Sequence, residues 1–432
     1  MGFSWSEIER SFWGRAIIWL AFAAGLGIAP LLFRSGIAMT ILSQAGYVII
    51  ICLSYNILFG QGGMLSFGHA VYTGFGALIA MHAMRMAGDS GGWSVPLPLI
   101  PLVGGLAGGF MAVLFGYVTT KKSGITFAMI TLGLGELVAA MSLMFPGFFG
   151  GEAGVKADRV YGEPLFGFDF GPQIQVYYLI AIYCVVCTAL MYAFTCTPLG
   201  RLLNATRDNP ERVEFIGYST QRVRYLAFIV SGFFAGIGGG LAAINFEIIN
   251  AGDSLSIAQS GSFLLFTFLG GASFFVGPII GGIMLVLASV LLSDLTSAWL
   301  LYIGLFFVLM VMYVPGGVAS LIATNVAVVH SGKASRLIVP YIGLIVASVA
   351  ALCGLSLLIE MTYHTQFETA KGPVMRFLGA TIDTHQSAIW IAAVLYTALV
   401  GAFLRFACLR FMSGWEKIQE EMDAAQAIEV RP

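Results

Sequence analysis

Two ionisable side chains lie deep inside apolar runs, where chemistry is scarce and expensive. Glu136 falls in the run 124–145 and His69 in 64–84. Inside a bilayer such groups cost several kcal/mol and usually face the bundle interior or a water-filled path. Glu136 stands about twelve residues into its run, near mid-membrane. A carboxylate there can balance an ammonium group, or it can be a protonated or hydrogen-bonded packing residue. His69, in "SFGHA", can titrate along a pathway or sit neutral, bonded to a neighbouring helix. Gln61, Ser66 and Thr73 place uncharged hydrogen-bonding groups beside the same glycines. Gln61, Ser66, His69, Thr73 and Glu136 are therefore the candidate path for a small polar solute. No second histidine or carboxylate stands at ligand spacing, so no metal site is expected. The five histidines (His69, His82, His330, His364, His385) are too scattered to build a nucleophile–base pair. No catalytic residue is expected, and the chain is not expected to be an enzyme. Cys184 and Cys187 form C-x-x-C, a redox or metal signal in a soluble loop; inside the run 173–194 they share a buried helix face instead.

A second group of residues has a different character. "TPLGRLLNATRDNPERVEFIGYSTQRVRY", Thr197 to Tyr225, holds eight charged residues between two apolar runs. Within it "DNPERVEFIG" carries helix grammar. Asn209 or Asp208 suits the N-cap, Pro210 the first helical position, and Glu211 the positive helix end. Gly217 is a natural stop. A helix this short is marginal in water alone, so Val213, Phe215 and Ile216 are expected to anchor it. The surface beneath is either its own protein or a partner.

The elements that must position these groups follow from composition. Of 432 residues 58% are hydrophobic and 10% charged, with mean hydropathy +0.89. Soluble domains carry about 25% charged residues, so an all-α polytopic membrane bundle in the lipid bilayer is expected. Nothing points to nucleic acid. At ~20 residues per span, twelve runs qualify: 16–33, 36–59, 64–84, 97–118, 124–145, 173–194, 226–246, 258–275, 277–293, 297–314, 337–359 and 387–409. Those at 64–84 and 258–275 are rich in glycine and polar residues and read as re-entrant or broken helices. Gly232, Gly236 and Gly240 make a small-residue stripe for close packing. With both termini cytoplasmic, 15 of the 21 basic residues fall inside and 6 outside, as the positive-inside rule favours. The charged island then faces the cytoplasm. Residues 1–15 form an interfacial segment without a cleavable signal, 16–322 a ten-span core with the loop 197–225, 323–336 a polar linker, and 337–432 a two-span extension. Pro146 to Pro172 reads as an ordered outer cap.

Four blocks carry a resemblance: "NILFGQGGMLSFGHAVYTGFGALIA" (56–80), "KKSGITFAMITLGLGELV" (121–138), "TPLGRLLNATRDNPERVEFIGYSTQRVRYLAFIVSGFFAGIGGGLAA" (197–243) and "LGGASFFVGPIIGG" (269–282). In this order they resemble the branched-chain amino-acid permeases of ABC importers, and the second block the LivM-type subunit. The resemblance implies a bacterial inner-membrane permease working by alternating access. It implies a LivH-type second permease, two cytosolic ATP-binding subunits and a periplasmic solute-binding protein as partners. It makes Arg207, Asp208, Asn209, Pro210, Glu211, Arg212, Glu214, Phe215 and Gly217 the helix that couples to the ATPase. The chain has no G-x-x-x-x-G-K-[ST] phosphate loop; "SGKAS" at 331–335 lacks the first glycine and the final hydroxyl residue. ATP and magnesium are therefore expected on the partners, with no cofactor on this chain. The alternatives are an ion-coupled secondary transporter or a related permease for urea and short amides. The two C-terminal runs extend beyond the usual core of the family.

Overall fold

The computed structural model describes residues 12–88, 95–161, 169–296, 298–314, 316–330, 338–367, 374–377, 380–384 and 386–429. The expected interfacial segment 1–15 lies largely outside these residues, and "SGKAS" lies outside them entirely. The fold is all-α. Its helices are α1 (Phe12–Leu32), α2 (Gly36–Asn56), α3 (His69–Gly88), α4 (Ile100–Thr119), α5 (Gly124–Met144), α6 (Gln173–Cys196), α7 (Pro198–Asp208), α8 (Pro210–Phe215), α9 (Thr220–Phe246), α10 (Ile257–Gly270), α11 (Gly277–Leu287), α12 (Trp299–Tyr313), α13 (Gly317–His330), α14 (Ile338–Phe367) and α15 (Ser387–Glu429). Two short antiparallel pairings join β1 (Val155–Lys156) to β2 (Ile248–Ile249) and β3 (Val374–Phe377) to β4 (Ala380–Asp383). The chain divides into two units: Met1–Asp294 with Phe306–Ser320, and Leu295–Leu305 with Leu321–Pro432.

The expected count of twelve spans is not confirmed. Among the described residues seven helices are long and apolar enough to cross a membrane, and an eighth arises if α12 and α13 count as one. The expected runs 16–33, 64–84, 258–275, 277–293 and 297–314 are not among the seven, and two of these five are the glycine-rich segments. The expected span 64–84 starts late, at His69. The span 258–275 is the 14-residue α10, about 21 Å long against roughly 30 Å of hydrocarbon. The first part of the expected polar linker 323–336 is helical, because α13 runs as far as His330. There Asn325 turns its amide back to the Leu321 carbonyl, 2.9 Å away, so the polar residue does not interrupt the helix.

In the first unit α9 is the most buried of the seven long helices. It packs on α3 and α4 through glycines. A Cβ on Gly236 would stand 2.3 Å from the Gly104 carbonyl oxygen and 3.0 Å from the Gly108 Cα; one on Gly76 would stand 2.5 Å from the Gly236 Cα. Lipid supplies no hydrophobic drive between helices, so this close backbone approach is what holds the three together.

Two breaks interrupt the bundle. The first follows α2, which winds into a π-turn at Ile57–Gln61 before an irregular stretch to Gly68. Irregular backbone survives at membrane depth only when protein satisfies it. Here hydroxyls do so. The Tyr55 hydroxyl donates to the Ser66 carbonyl at 3.0 Å and accepts from the Ser66 N–H at 3.2 Å. The Phe67 N–H donates to Thr131 Oγ1 at 3.2 Å and the Ala70 N–H to Ser260 Oγ at 2.9 Å. The second break lies between α10 and α11, where Gly271 takes φ 111°. The two breaks meet: a Cβ on Gly60 would stand 2.3 Å from the Ala272 carbonyl oxygen.

At the end of the bundle where α9 finishes, the described part of the segment Pro146 to Pro172 is ordered. Arg159 donates from Nη1 to Gln173 at 3.1 Å and from Nη2 to the Gly171 carbonyl at 2.8 Å, and its Nε lies 3.6 Å from Glu247. Arg159→Ala removes these donors from a half-buried ion pair. Thermal unfolding in detergent is expected to show a loss of about 2 kcal/mol.

In the second unit β3 and β4 lie between α14 and α15 in sequence, and Met361, Met375 and Ala393 form a small core with Leu357, Phe377 and Trp390 around it. Tyr302 donates to Glu360 at 3.1 Å. At 43 residues, α15 is about 64 Å long, far longer than the expected run 387–409.

Candidate functional site

The charged island folds into two helices joined without a loop. Thr197 caps α7 by accepting from the Gly200 N–H at 3.2 Å. At the junction Asn209 serves both helices. Its N–H donates to the Ala205 carbonyl at 2.9 Å, closing α7, and its Oδ1 accepts from the Arg212 N–H at 3.1 Å, opening α8. Pro210 occupies the first position of α8 and Glu211 its first turn. The helix stops at Gly217, φ 90°, in a Schellman arrangement: the Tyr218 N–H donates to the Val213 carbonyl at 3.1 Å and the Gly217 N–H to the Glu214 carbonyl at 2.9 Å. Thr220 then donates to Glu214 at 2.8 Å, tying α8 to the start of α9.

Only one of the three expected anchors is buried beneath α8. Val213 is 1% exposed, whereas Phe215 is 88% and Ile216 66% exposed. Tyr218 joins them on the surface. Asp208, Glu211 and Arg212 are also exposed. The result is a rigid, doubly capped helix with an apolar tip among charged neighbours.

Behind it, α7 rests on the first break. The Arg207 guanidinium donates through Nη1 to the Gly60 carbonyl and through Nε to Asp208. Asn204 donates to Gln61 Oε1 at 2.7 Å. Gln61 therefore belongs to the same contact as Arg207, although sequence reasoning separates them into path and coupling residues. Asn204 and Gly60 are the residues that reasoning misses. The only signal for Asn204 is its place one turn before Arg207; nothing local names the partner.

Deeper in the bundle, Ser66, His69 and Thr73 are buried. His69 Nε2 lies 2.9 Å from Ser54 Oγ. The Ser54 hydroxyl hydrogen goes to the Ile51 carbonyl at 2.7 Å, so Ser54 accepts and Nε2 carries the proton. That leaves His69 Nδ1 as an acceptor, and among the described residues neither it nor Ser66 Oγ has a hydrogen-bond partner. The imidazole meets the Tyr55 ring edge-on at 5.0 Å. Thr73 donates to the Ala70 carbonyl at 3.0 Å. Glu136 does not join this group: it is exposed on α5, beside the exposed Gly133 and Leu137. Cys184 and Cys187 are buried free thiols in α6.

Comparison with known proteins agrees with this architecture. Residues 37–316 match the family model described as branched-chain amino acid transport system / permease component. The high-affinity branched-chain amino acid transport system permease protein LivM of Salmonella typhimurium is 28% identical over 290 residues, 62% of this chain and 67% of the relative. LivM of Escherichia coli matches to the same extent. The probable branched-chain amino acid transport permease protein LivH of Methanocaldococcus jannaschii is 22% identical over 257 residues, covering 57% of this chain and 77% of the relative. No solved structure matches the chain. The family model covers the breaks, the capped α8 and the glycine-packed α9 alike, and this multi-pass membrane protein belongs to the branched-chain amino acid transport permease family.

Proposed function

We propose that this chain is the LivM-type permease subunit of an ATP-driven importer for branched-chain or similar small amino acids in the bacterial inner membrane. It pairs with a LivH-type permease. A solute-binding protein delivers the solute from outside, and two cytosolic subunits bind ATP and magnesium. No bond is made or broken on this chain; it changes which side of the membrane the path faces. The carrying observation is α8, held rigid by Asn209 and Gly217 while Phe215 and Ile216 stay exposed. Exposed apolar tips in a charged setting mark a protein contact, and the basic island favours the cytoplasmic side, where ATPases are. The test is purification of the tagged chain in mild detergent, identification of co-purifying subunits, and reconstitution of uptake. ATPase subunits, a second permease and ATP-driven uptake support the reading. Uptake by this chain alone, abolished by a protonophore and indifferent to vanadate, replaces it with an ion-coupled transporter.

Glu136 has a place in this picture. A carboxylate exposed from its own bundle in the middle of a span is costly against lipid, so it faces the second permease or the solute path between the two. Glu136→Gln is expected to lower uptake about tenfold, the loss of one charge-assisted hydrogen bond, while co-purification stays intact. Unchanged uptake kinetics assign the residue to packing.

A further inference from the structure

The contact between α7 and the first break has more to it than packing. Leu203, Asn204 and Arg207 share one face of α7, at i, i+1 and i+4, and all three meet the segment 60–63. A Cβ on Gly62 would stand 3.1 Å from Leu203 Cδ1, and one on Gly63 2.7 Å from Arg207 Cγ. Asn204 holds the Gln61 side chain at 2.7 Å and Arg207 holds the Gly60 carbonyl. Gly60 sits in the π-turn that ends α2, where backbone carbonyls run out of helical donors. A guanidinium there both satisfies a carbonyl and complements the negative helix end. The far side of Gly60 abuts the Ala272 carbonyl of the second break. One cation thus sits on the end of α2 where the two breaks meet. It belongs to a helix that Asn209 fuses to α8 without a flexible residue between them.

We propose that Asn204 and Arg207 are positioning residues for transport. They latch the end of α2, and displacement of α8 is carried through α7 to release or reset the break at 57–68. This rests on the importer reading. It reassigns Arg207, expected from the family resemblance to face the ATPase, to a contact with its own chain's path. Movement of α8 without the latch leaves α2 where it was, so ATP is spent on partner subunits without a matching change in the path.

The experiment uses the full transporter, reconstituted with its solute-binding protein, measuring leucine uptake and ATP hydrolysis in the same vesicles. Asn204→Ala and Arg207→Ala are expected to keep the ATPase subunits bound and at least half of the hydrolysis rate, while uptake per ATP falls at least fivefold. Arg207→Lys, which keeps a donor and a charge, recovers part of the ratio. The exchange Q61N with N204Q restores the pair's total length, and is expected to couple better than either single variant. Hydrogen exchange supplies a readout that a merely structural role does not move. Amides 58–64 change protection on vanadate trapping in the parent and stay fixed in Arg207→Ala. Uptake and hydrolysis falling in parallel, or full coupling in both alanine variants, overturns the latch. A parent complex that lacks ATPase subunits or ATP-driven uptake overturns the importer reading, and the latch with it.

Discussion

Gly236→Val is expected to abolish the folded chain in the membrane, with Gly236→Ala already losing about 3 kcal/mol or more. The reasoning is geometric. The first carbon of any side chain at 236 would stand 2.3 Å from the Gly104 carbonyl oxygen, which is backbone and cannot rotate away. Nor can α9 simply lift off. Gly104 is itself pressed between Gly236 and Gly76: a Cβ on Gly104 would stand 2.8 Å and 2.9 Å from their carbonyl oxygens. Moving one helix therefore disturbs three. The loss is a large share of a typical total stability of about 5–15 kcal/mol. The check is thermal unfolding in detergent for the alanine variant and the fraction of monodisperse protein for the valine variant. Gly304→Ala, where a Cβ meets nothing within 4 Å, is the control and is expected to behave as the parent. A parent-like midpoint for Gly236→Ala would mean that the α3–α4–α9 crossing is looser than its backbone distances require.

Much of this architecture is legible in the sequence, and the parts that are not share a cause. The grammar of α8 is local: Asn209 before Pro210, and Gly217 at the end, name the caps without tertiary knowledge. The glycine-rich breaks are legible too, because glycine and polar residues dilute an otherwise apolar run. The direction a side chain faces is not. In a soluble helix a polar stripe marks the outside, but a helix in lipid is apolar on every side. His69 and Glu136 look alike in sequence, ionisable groups within apolar runs; one is fully buried against Ser54 and the other is exposed on α5. The same blindness hides the partner of Asn204, 143 residues away in sequence at Gln61. Span length fails for a related reason. Apolar residues continue through the breaks at 62–68 and 271–276, so a hydropathy count runs across backbone that has left the helix.

If the importer reading holds, Phe215→Ala combined with Ile216→Ala is expected to release the proposed ATPase subunits, weakening their retention at least thirtyfold, a loss of about 2 kcal/mol or more at the centre of an interface. Within its own chain Phe215 is 88% exposed and Ile216 66%, so truncating them removes little that holds the permease together. They are flanked by Asp208, Glu211, Arg212 and Arg222, charges that keep this surface in water and out of lipid. An apolar tip in water is stabilised only by a protein that covers it. Two further variants separate docking from folding. Val213→Ala, at a residue 1% exposed, weakens the seat of α8 and is expected to lower thermal stability as well as retention. Gly217→Pro cannot take φ 90° and deletes the N–H that bonds the Glu214 carbonyl; Glu214→Lys loses the acceptor for Thr220. Both deform α8 without touching its tip and are expected to uncouple uptake from hydrolysis while the chain still inserts. The ordering is the decisive measurement: retention lost for the double alanine variant at unchanged melting temperature, and melting temperature lowered for Val213→Ala. Full retention of the ATPase by the double variant would move the docking surface away from α8, and uptake surviving Gly217→Pro and Glu214→Lys at normal rates would take the coupling role from the island altogether.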